Sequence, residues 1–452
     1  MSQLLLSYYG DDLTGSTDAM EALNLAGVRT ALFLKPATAA QIRAVSVTGP
    51  LQAIGLAGTS RSETPAWMDQ HLPTALGWLA AQQAAVCHYK VCSTFDSAPH
   101  VGSIGRALDI GAQVFAQAVV PVVVGVPQLK RYTVFGHLFA TLHGVTYRID
   151  RHPVMSRHPV TPMDEADLCL HLGQQTQAPI SVLDWQALAS TDADARMEAA
   201  MASRDGRTRG LLLDVPDMPT QALVGQQLWR HRRSEGSLFV IGSSGVEYAL
   251  VNAWRASGVL NHQPAATRRV PAVDKIAVVS GSCSATTAAQ IRAAADMGFE
   301  LIAADAALLS SRAHGDDEQY RLAALARSAL AKGHSIIVYT AMGPEAVAQQ
   351  PTDAEPHAIG RRLGRLLRDL VASTGLQRVV VAGGDTSSHA LQELDVYALT
   401  VAMPLPQTPG SPLCVAHSGV PAFRGLQHGA SRLKGGQIGA LDYFAAIRDG
   451  RA

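Results

Sequence analysis

Two adjacent carboxylates, Asp11 and Asp12, open the run GDDLTGSTD (Gly10–Asp18), directly after the apolar stretch Leu4–Tyr9. Open α/β sheets seat their ligands at the carboxyl ends of strands, so chemistry is expected here. Paired acids can accept hydrogen bonds from polyol hydroxyls or take a proton from one. Thr14, Gly15 and Ser16 add hydroxyls and backbone N–H groups where the next helix opens. A single Asp would suffice as a helix cap; two acids followed by Thr-Gly exceed that need. The acids are neighbours, so a phosphatase-like D-x-D spacing is excluded.

A second polar loop, GTSRS (Gly58–Ser62), follows the strand-like Ala53–Leu56. It places Arg61 at a strand end among small residues. That setting predicts an exposed guanidinium fork able to grip a carboxylate through two parallel N–H bonds. A third, HYKVCSTFDS (His88–Ser97), crowds Lys90, Ser93, Thr94, Asp96 and Ser97 together, with Cys92 expected as a small buried residue. Gly102, Ser103 and Gly105 then open another helix, a natural anion seat. Three strand-end loops carrying Asp, Arg and Lys suit a small polyhydroxy acid.

The C-terminal half carries loops of a different kind. SGSCSATTAAQI (Ser280–Ile291) offers Ser280, Ser282 and Ser284 between a strand and a helix. VVVAGGDTSSHAL (Val379–Leu391) offers Gly383, Gly384, Asp385 and Thr386, and RLKGGQIG (Arg432–Gly439) offers Lys434, Gly436 and Gly439. Small residues let a backbone approach phosphate, and a helix start aims N–H groups and a favourable dipole at it. No Walker G-x-x-x-x-G-K-[ST] occurs, yet three such loops together favour a nucleotide or polyphosphate site. Of the sixteen histidines, His137, His143, His152, His158 and His171 are the candidates for metal ligands. None has H-E-x-x-H or C-x-x-C context, so no protein metal site is expected, and a divalent ion would be magnesium carried with phosphates.

The elements that must position these loops are short Val/Ile/Leu runs alternating with alanine-rich helical stretches. Ala19–Ala26, Pro65–Ala85, Asp184–Met201 and Ala285–Met297 read as helices. Val28–Leu34, Val119–Val124, Ile180–Leu183, Gly210–Val215, Leu238–Ile241, Lys275–Val279, Ile336–Tyr339 and Val379–Ala382 read as strands. That alternation predicts an α/β fold of two domains, each with a mostly parallel sheet flanked by helices. Residues 258–274, with two prolines and no apolar period, read as a linker. They separate a substrate-binding domain, 1–257, from a nucleotide-binding domain, 275–452. Arg-His-Pro-Val occurs at 151–154 and again at 157–160, read as two extended X-Pro turns, with Thr161-Pro162 and Asp164 starting the next helix.

Composition narrows the classes. Of 452 residues, 47% are hydrophobic and 16% charged, which excludes intrinsic disorder. Lys+Arg and Asp+Glu are 37 each, so no global basic field draws nucleic acid or an anionic membrane. The longest apolar run, Ala118–Val126, is about half the ~20 residues of a membrane helix. The N-terminus lacks a basic n-region, and five scattered cysteines form no C-x-x-C, so the cytoplasm is expected. A homo-oligomer is compatible with all of this.

Taken together, GDDLTGSTD, the Ser60–Ser62 loop, KVCSTFDS, GHLF (Gly136–Phe139), RHPVTPMDEADL (Arg157–Leu168), VVSGSCSATTAAQI, AGGDTSS and LKGGQIG resemble the four-carbon acid sugar kinase family. The resemblance runs through nearly the whole chain. It implies an N-terminal domain that binds a sugar acid, a C-terminal domain that binds ATP with Mg2+, and phosphorylation of a tetronate or 3-oxo-tetronate hydroxyl. It also admits the 3-oxo-isoapionate kinases of the same superfamily. On this reading Asp11, Asp12, Arg61, Lys90 and Asp96 bind the sugar acid. Asp12 is the acceptor-hydroxyl base with Asp11 second, Arg61 holds the carboxylate, and Lys90 binds substrate or offsets charge on the transferred phosphoryl. Ser280, Ser282, Ser284, Gly383, Gly384, Asp385, Thr386, Gly436 and Gly439 serve the nucleotide. The last loop reads Lys-Gly-Gly-Gln-Ile-Gly where the family usually has Lys-Ser-Gly-Asn-Phe-Gly, and the YYGDD opening and FDSAPHVGSIGRALDIG look like a side branch. The rivals are a decarboxylase or dehydrogenase of such acids, for which the G-x-G-x-x-G fingerprint is missing, and a non-enzymatic sensor, which would need no base.

Overall fold

The computed structural model describes residues 4–46, 49–202, 206–261, 270–344, 351–405, 410–431 and 440–451. Its strands, in chain order, are β1 (Leu6–Gly10), β2 (Thr30–Phe33), β3 (Ala53–Ala57), β4 (Val86–Lys90), β5 (Val119–Val123), β6 (Arg131–Val134), β7 (His137–Leu142), β8 (Val145–Arg148), β9 (Ile180–Leu183), β10 (Arg209–Leu213), β11 (Leu238–Gly242), β12 (Ala277–Ser280), β13 (Phe299–Ala303), β14 (Ser335–Tyr339), β15 (Arg378–Ala382), β16 (Ala398–Met403), β17 (Leu413–His417) and β18 (Gln427–Ser431). The chain divides into two compact units, one of residues 1–30 and 48–265, the other of 31–47 and 266–452.

In the first unit the strand order is β3-β1-β4-β11-β5-β10-β9, every neighbouring pair parallel. Strands β5 and β11 are buried at every position, as continuous apolar runs covered on both faces require, and β1 and β4 are equally buried although they carry Ser7, His88 and Lys90. The register pairs Gly10 with Ala57 and with Lys90, so β3, β1 and β4 end side by side. The three polar loops leave from that common edge. A small antiparallel sheet, β6-β7-β8, adds to this unit. Its half-exposed strands have no continuous apolar run to announce them.

In the second unit β13-β14-β12-β15-β18 is parallel, and β18-β17-β16 continues antiparallel. β2, from the N-terminal part of the chain, pairs with β16 here: Phe33 lies opposite Ala398 and Leu32 opposite Leu399. Ile276, Val278, Ile291, Ile337, Val380 and Phe444 are at the centre of its core, each fully buried. Ser280 is in register with Ala382, and Ala382 with Ser431, so the Ser and Gly-Gly loops start at adjacent strand ends and β18 ends beside them. The Lys-Gly-Gly loop, Arg432–Gly439, lies outside the described residues.

Two local expectations are corrected. The first helix starts at Leu13, not Ala19, with Asp12 as its N-cap, so the turn is only Asp11-Asp12. Thr14, Gly15, Ser16 and Thr17 are poor helix formers, but all are buried, and packing overrides their propensity. Thr161-Pro162-Met163-Asp164 starts no helix. The next one is Leu168–Gly173, capped by Asp167, whose carboxylate accepts the N–H groups of Cys169 and Leu170.

Candidate active site

In the first unit Asp11, Asp12, Arg61, Lys90 and Asp96 come together. Asp12 Oδ1 accepts the N–H of Gly15 at 2.5 Å, so this acid is held by the helix it caps. Its other oxygen lies 3.4 Å from Arg61 Nη1. Arg61 Nη2 donates to both oxygens of Asp96, at 2.7 and 2.5 Å. The exposed fork expected of Arg61 is therefore not found. Its side chain is 14% exposed and already bridges two acids, because an unpaired guanidinium that deep would be costly. Thr94 Oγ1 donates to Asp96 Oδ1 at 2.5 Å. Lys90 Nζ is 3.3 Å from Asp18 and donates to the carbonyl of Val91 at 3.1 Å.

Asp11 differs from its neighbour. The backbone fixes it on both sides: its N–H donates to the Lys90 carbonyl at 2.9 Å and its C=O accepts from Arg61 N–H at 3.0 Å. Its carboxyl is buried and Oδ1 has no hydrogen-bond partner. Burial, then the charge of Asp12, push this carboxyl up to about 8, against the pull of Arg61 and Lys90. A Cβ on Gly15 would lie 2.9 Å from Asp12 Oδ1, 3.3 Å from Lys90 Nζ and 3.6 Å from Asp11 Oδ1. The bare face of Gly15 is thus where two acids and a cation converge.

The loops that deliver these groups are tightly seated. The Tyr9 ring and hydroxyl occupy the place a side chain on Gly58 would need, and the ring stacks on Tyr89. Tyr89 Oη is 2.8 Å from Ser60 Oγ, beside Arg61. Gly102 has φ +59°, and a Cβ there would meet the Arg61 carbonyl at 2.5 Å, so only glycine fits. Phe95, next to Asp96, is held at φ 56°, an uncommon conformation for a bulky residue. Three contributors are not apparent from the sequence. Asp18 sits inside the GDDLTGSTD motif and is turned to Lys90. Thr161 donates to Asp96 Oδ2 at 3.1 Å, and His158 holds Thr161. The helix-start signature of Thr161-Pro162 conceals the last two.

In the second unit the loops after β12 and β15 pack on each other. Gly281 N–H donates to the Ala382 carbonyl at 3.1 Å, and a Cβ on Gly281 would overlap Thr386 Oγ1. Gly383 has φ +113°, and a Cβ there would stand 3.3 Å from Ser282 N and 3.2 Å from Thr386 Oγ1. Thr287 Oγ1 bonds both Ser282 Oγ, at 2.8 Å, and Ser284 Oγ, at 2.7 Å. Ser284 caps the helix Ala285–Asp296 through the N–H of Thr287. Gly384 and Asp385 begin the helix Gly384–Gln392. Gly436 and Gly439 lie outside the described residues. This is a cradle of hydroxyls, N–H groups and bare α-carbons at two helix starts, the surface a polyphosphate fits.

Of the candidate histidines, His171 Nε2 is 2.8 Å from Ser97 Oγ, and His152 and His158 bond the backbone of their own loops. Among the described residues no group of three or more His, Cys, Asp or Glu is placed to hold a metal ion.

An acid-and-cation cluster on one α/β unit and a cradle of small and hydroxyl-bearing residues at two helix starts on another are compatible with a two-domain phosphotransferase. Comparison with known proteins agrees. Residues 6–250 match the family model of a sugar-binding N-terminal domain, and residues 277–444 that of a nucleotide-binding C-terminal domain. A 3-oxo-isoapionate kinase of Paraburkholderia graminis is 46% identical, over 99% of this chain and 95% of its own. A 3-oxo-tetronate kinase of Methylobacterium radiotolerans is 29% identical over 99% of each chain. The fold is shared with a Salmonella typhimurium LT2 protein described as a tRNA synthase, at TM-score 0.75 and 23% identity over the whole of both chains. A Haemophilus influenzae DUF1537 protein follows at TM-score 0.69 and 20% identity, over 98% of this chain and 99% of that one. The chain belongs to the four-carbon acid sugar kinase family.

Proposed function

We propose that this chain transfers the γ-phosphoryl group of ATP to a hydroxyl of 3-oxo-isoapionate, a short branched sugar acid. The observation that carries the choice is the 46% identity to a 3-oxo-isoapionate kinase across 99% of the chain, against 29% for a 3-oxo-tetronate kinase over the same span. The acceptor oxygen attacks Pγ, the bond from Pγ to the β,γ-bridging oxygen breaks, and ADP leaves. The hydroxyl proton passes to Asp11. We assign the base to Asp11 rather than Asp12. Asp12 spends one oxygen on the Gly15 N–H and the other on Arg61, whereas Asp11 Oδ1 has no hydrogen-bond partner and burial raises its carboxyl to about 8.

Lys90, paired with Asp18, draws the Asp11 carboxyl toward its ionised form. Arg61 gives Nη2 to Asp96 and one Nη1 proton to Asp12, so the substrate carboxylate would take a single bond, from Nε–H or from the second Nη1 proton on the opposite edge. Because Arg61 is already neutralised, a polyol without a carboxylate would strand no charge there. Arg61→Met should therefore narrow the preference for acid over polyol only modestly. Ser282, Ser284, Gly383 and Thr386 are assigned to the nucleotide phosphates, and Mg2+ carried in with ATP would supply charge neutralisation there. Chemistry of this kind is mostly positioning and charge stabilisation. ADP release measured with 3-oxo-isoapionate, 3-oxo-tetronate, D-threonate and a neutral polyol tests the reading. The highest kcat/KM is expected for 3-oxo-isoapionate. A higher value for 3-oxo-tetronate would reassign the substrate, and no turnover with any acid would sink the proposal.

A further inference from the structure

The Arg-His-Pro-Val repeat has the same device in both copies. His152 Nδ1 accepts the N–H groups of Val154 and Met155, each at 3.2 Å, and His158 Nδ1 accepts that of Thr161 at 3.1 Å. A ring nitrogen that accepts an N–H carries no proton, so both imidazoles are neutral with hydrogen on Nε2. The copies differ in what they steady. His152 secures the turn before the short helix Met155–Arg157, with the Tyr147 ring edge-on to it. His158 secures Thr161, which is buried and whose hydroxyl is 3.1 Å from Asp96 Oδ2 and also 3.1 Å from His158 Nδ1. One hydroxyl has one proton. With the Nδ1 lone pair already taken by the Thr161 N–H, that proton goes to Asp96.

We propose that His158 is a positioning residue for the sugar-acid site: its neutral imidazole fixes Thr161, whose hydroxyl completes the donor set of Asp96 and so aims Arg61. Asp96 then receives Thr94 and Arg61 on Oδ1, and Arg61 and Thr161 on Oδ2. Its side chain is 0% exposed, so water does not replace a lost donor, and a carboxylate short of one holds Arg61 less firmly. The charged groups facing His158 are Asp96 and Arg61. Burial, the largest influence, and Arg61 keep the ring below the usual imidazole range, while Asp96 opposes them. Protonation would set an Nδ1–H against the Thr161 N–H and add a cation beside Arg61. The inference rests on the sugar-acid reading of this cluster.

The test splits KM from kcat. His158→Ala and Thr161→Val should each raise KM for the acid about tenfold to a hundredfold, the size of one hydrogen bond to a charged group. Their kcat and KM for ATP should stay within about twofold, as expected for a group acting through binding alone. His158→Asn, whose carbonyl oxygen replaces Nδ1, should restore the acid KM. Wild-type KM for the acid should climb as the pH falls below the imidazole range, and His158→Asn should abolish that climb. An unchanged KM in His158→Ala, or an Asn variant no better than Ala, overturns the inference. If wild type turns over no acid, the functional reading fails on its own. Nitrogen-15 NMR of the intact protein then decides the device: an Nε2–H tautomer for His158 supports it, and a proton on Nδ1 overturns it.

Discussion

The two polar regions are built on opposite plans. In the first unit the site is made of charges that restrain one another: Arg61 with Asp96 and Asp12, Lys90 with Asp18, and Asp11 between them. In the second it is made of what is missing. Gly281 and Gly383 lack a Cβ where one would strike Thr386 or crowd Ser282, and hydroxyls and N–H groups line the space. The difference matches the ligands proposed for the two regions. A sugar acid must be turned to present one hydroxyl and give up its proton, so its site needs fixed, directional groups with tuned acidity. Phosphates need a surface that a backbone can approach, and bring their own charge.

Substitutions that confuse the two plans should have the largest effects. Gly15→Val would fill the face where Asp11, Asp12 and Lys90 converge. We expect kcat to fall by about a thousandfold or more, as for lost catalytic alignment, while calorimetry shows nucleotide affinity unchanged. Retained turnover would mean substrate does not use that face. Gly383→Val puts a branched side chain at φ +113° against Ser282 and Thr386. With about 1–3 kcal/mol of backbone strain, ATP affinity should drop roughly tenfold to a hundredfold, with acid binding spared. If acid binding falls in step, the separation of roles is wrong.

A finer effect concerns tuning. The Asp11 carboxyl is raised to about 8, first by burial and then by Asp12, and Lys90 draws it down. With Asp11 as the proposed base, which must be ionised to act, wild-type kcat/KM should rise with pH through about 8. Lys90→Met removes the cation that favours the carboxylate, so this limb should move to higher pH. A limb that stays or moves down contradicts the coupling. The smallest effect is on stability. An acid whose folded value lies above its unfolded one supports the fold most at low pH, and that support is lost as pH rises through about 8. Asp11→Asn should therefore melt a few degrees higher than wild type at pH 9, with the difference shrinking toward pH 5, as thermal scans at the two pH values would show.

Much of this arrangement is legible in the amino-acid sequence, and the reasons are local. Val119–Val123 and Leu238–Gly242 are fully buried parallel strands, and such strands are written as unbroken apolar runs. The Asp11-Asp12 and Arg61 loops stand out because they follow largely apolar runs directly, whereas the Lys90 loop leaves β4, Val-Cys-His-Tyr-Lys, which has no such run. What stays hidden depends on partners distant in sequence. Thr161-Pro162 carries the signature of a helix start, yet the Thr161 hydroxyl is drawn to Asp96. Arg61 looks like an open fork until Asp96 and Asp12 are folded against it. The first helix begins among Thr, Gly and Ser because burial outweighs propensity there. The pairing of β2 with β16 joins segments from opposite halves of the chain, which no local pattern records.

The most direct test of the account is turnover of Asp11→Asn beside Asp12→Asn, at saturating ATP and 3-oxo-isoapionate, with binding of both ligands measured by calorimetry. Asp11→Asn should bind both ligands at near wild-type affinity and lose about 10²–10⁴ in kcat, the usual cost of removing a base. Asp12→Asn should lose less in kcat and more in acid affinity, because that carboxylate anchors the Gly15 turn and Arg61. An Asp11→Asn enzyme that turns over at close to the wild-type rate, or an Asp12→Asn enzyme with intact binding and no turnover, would contradict it.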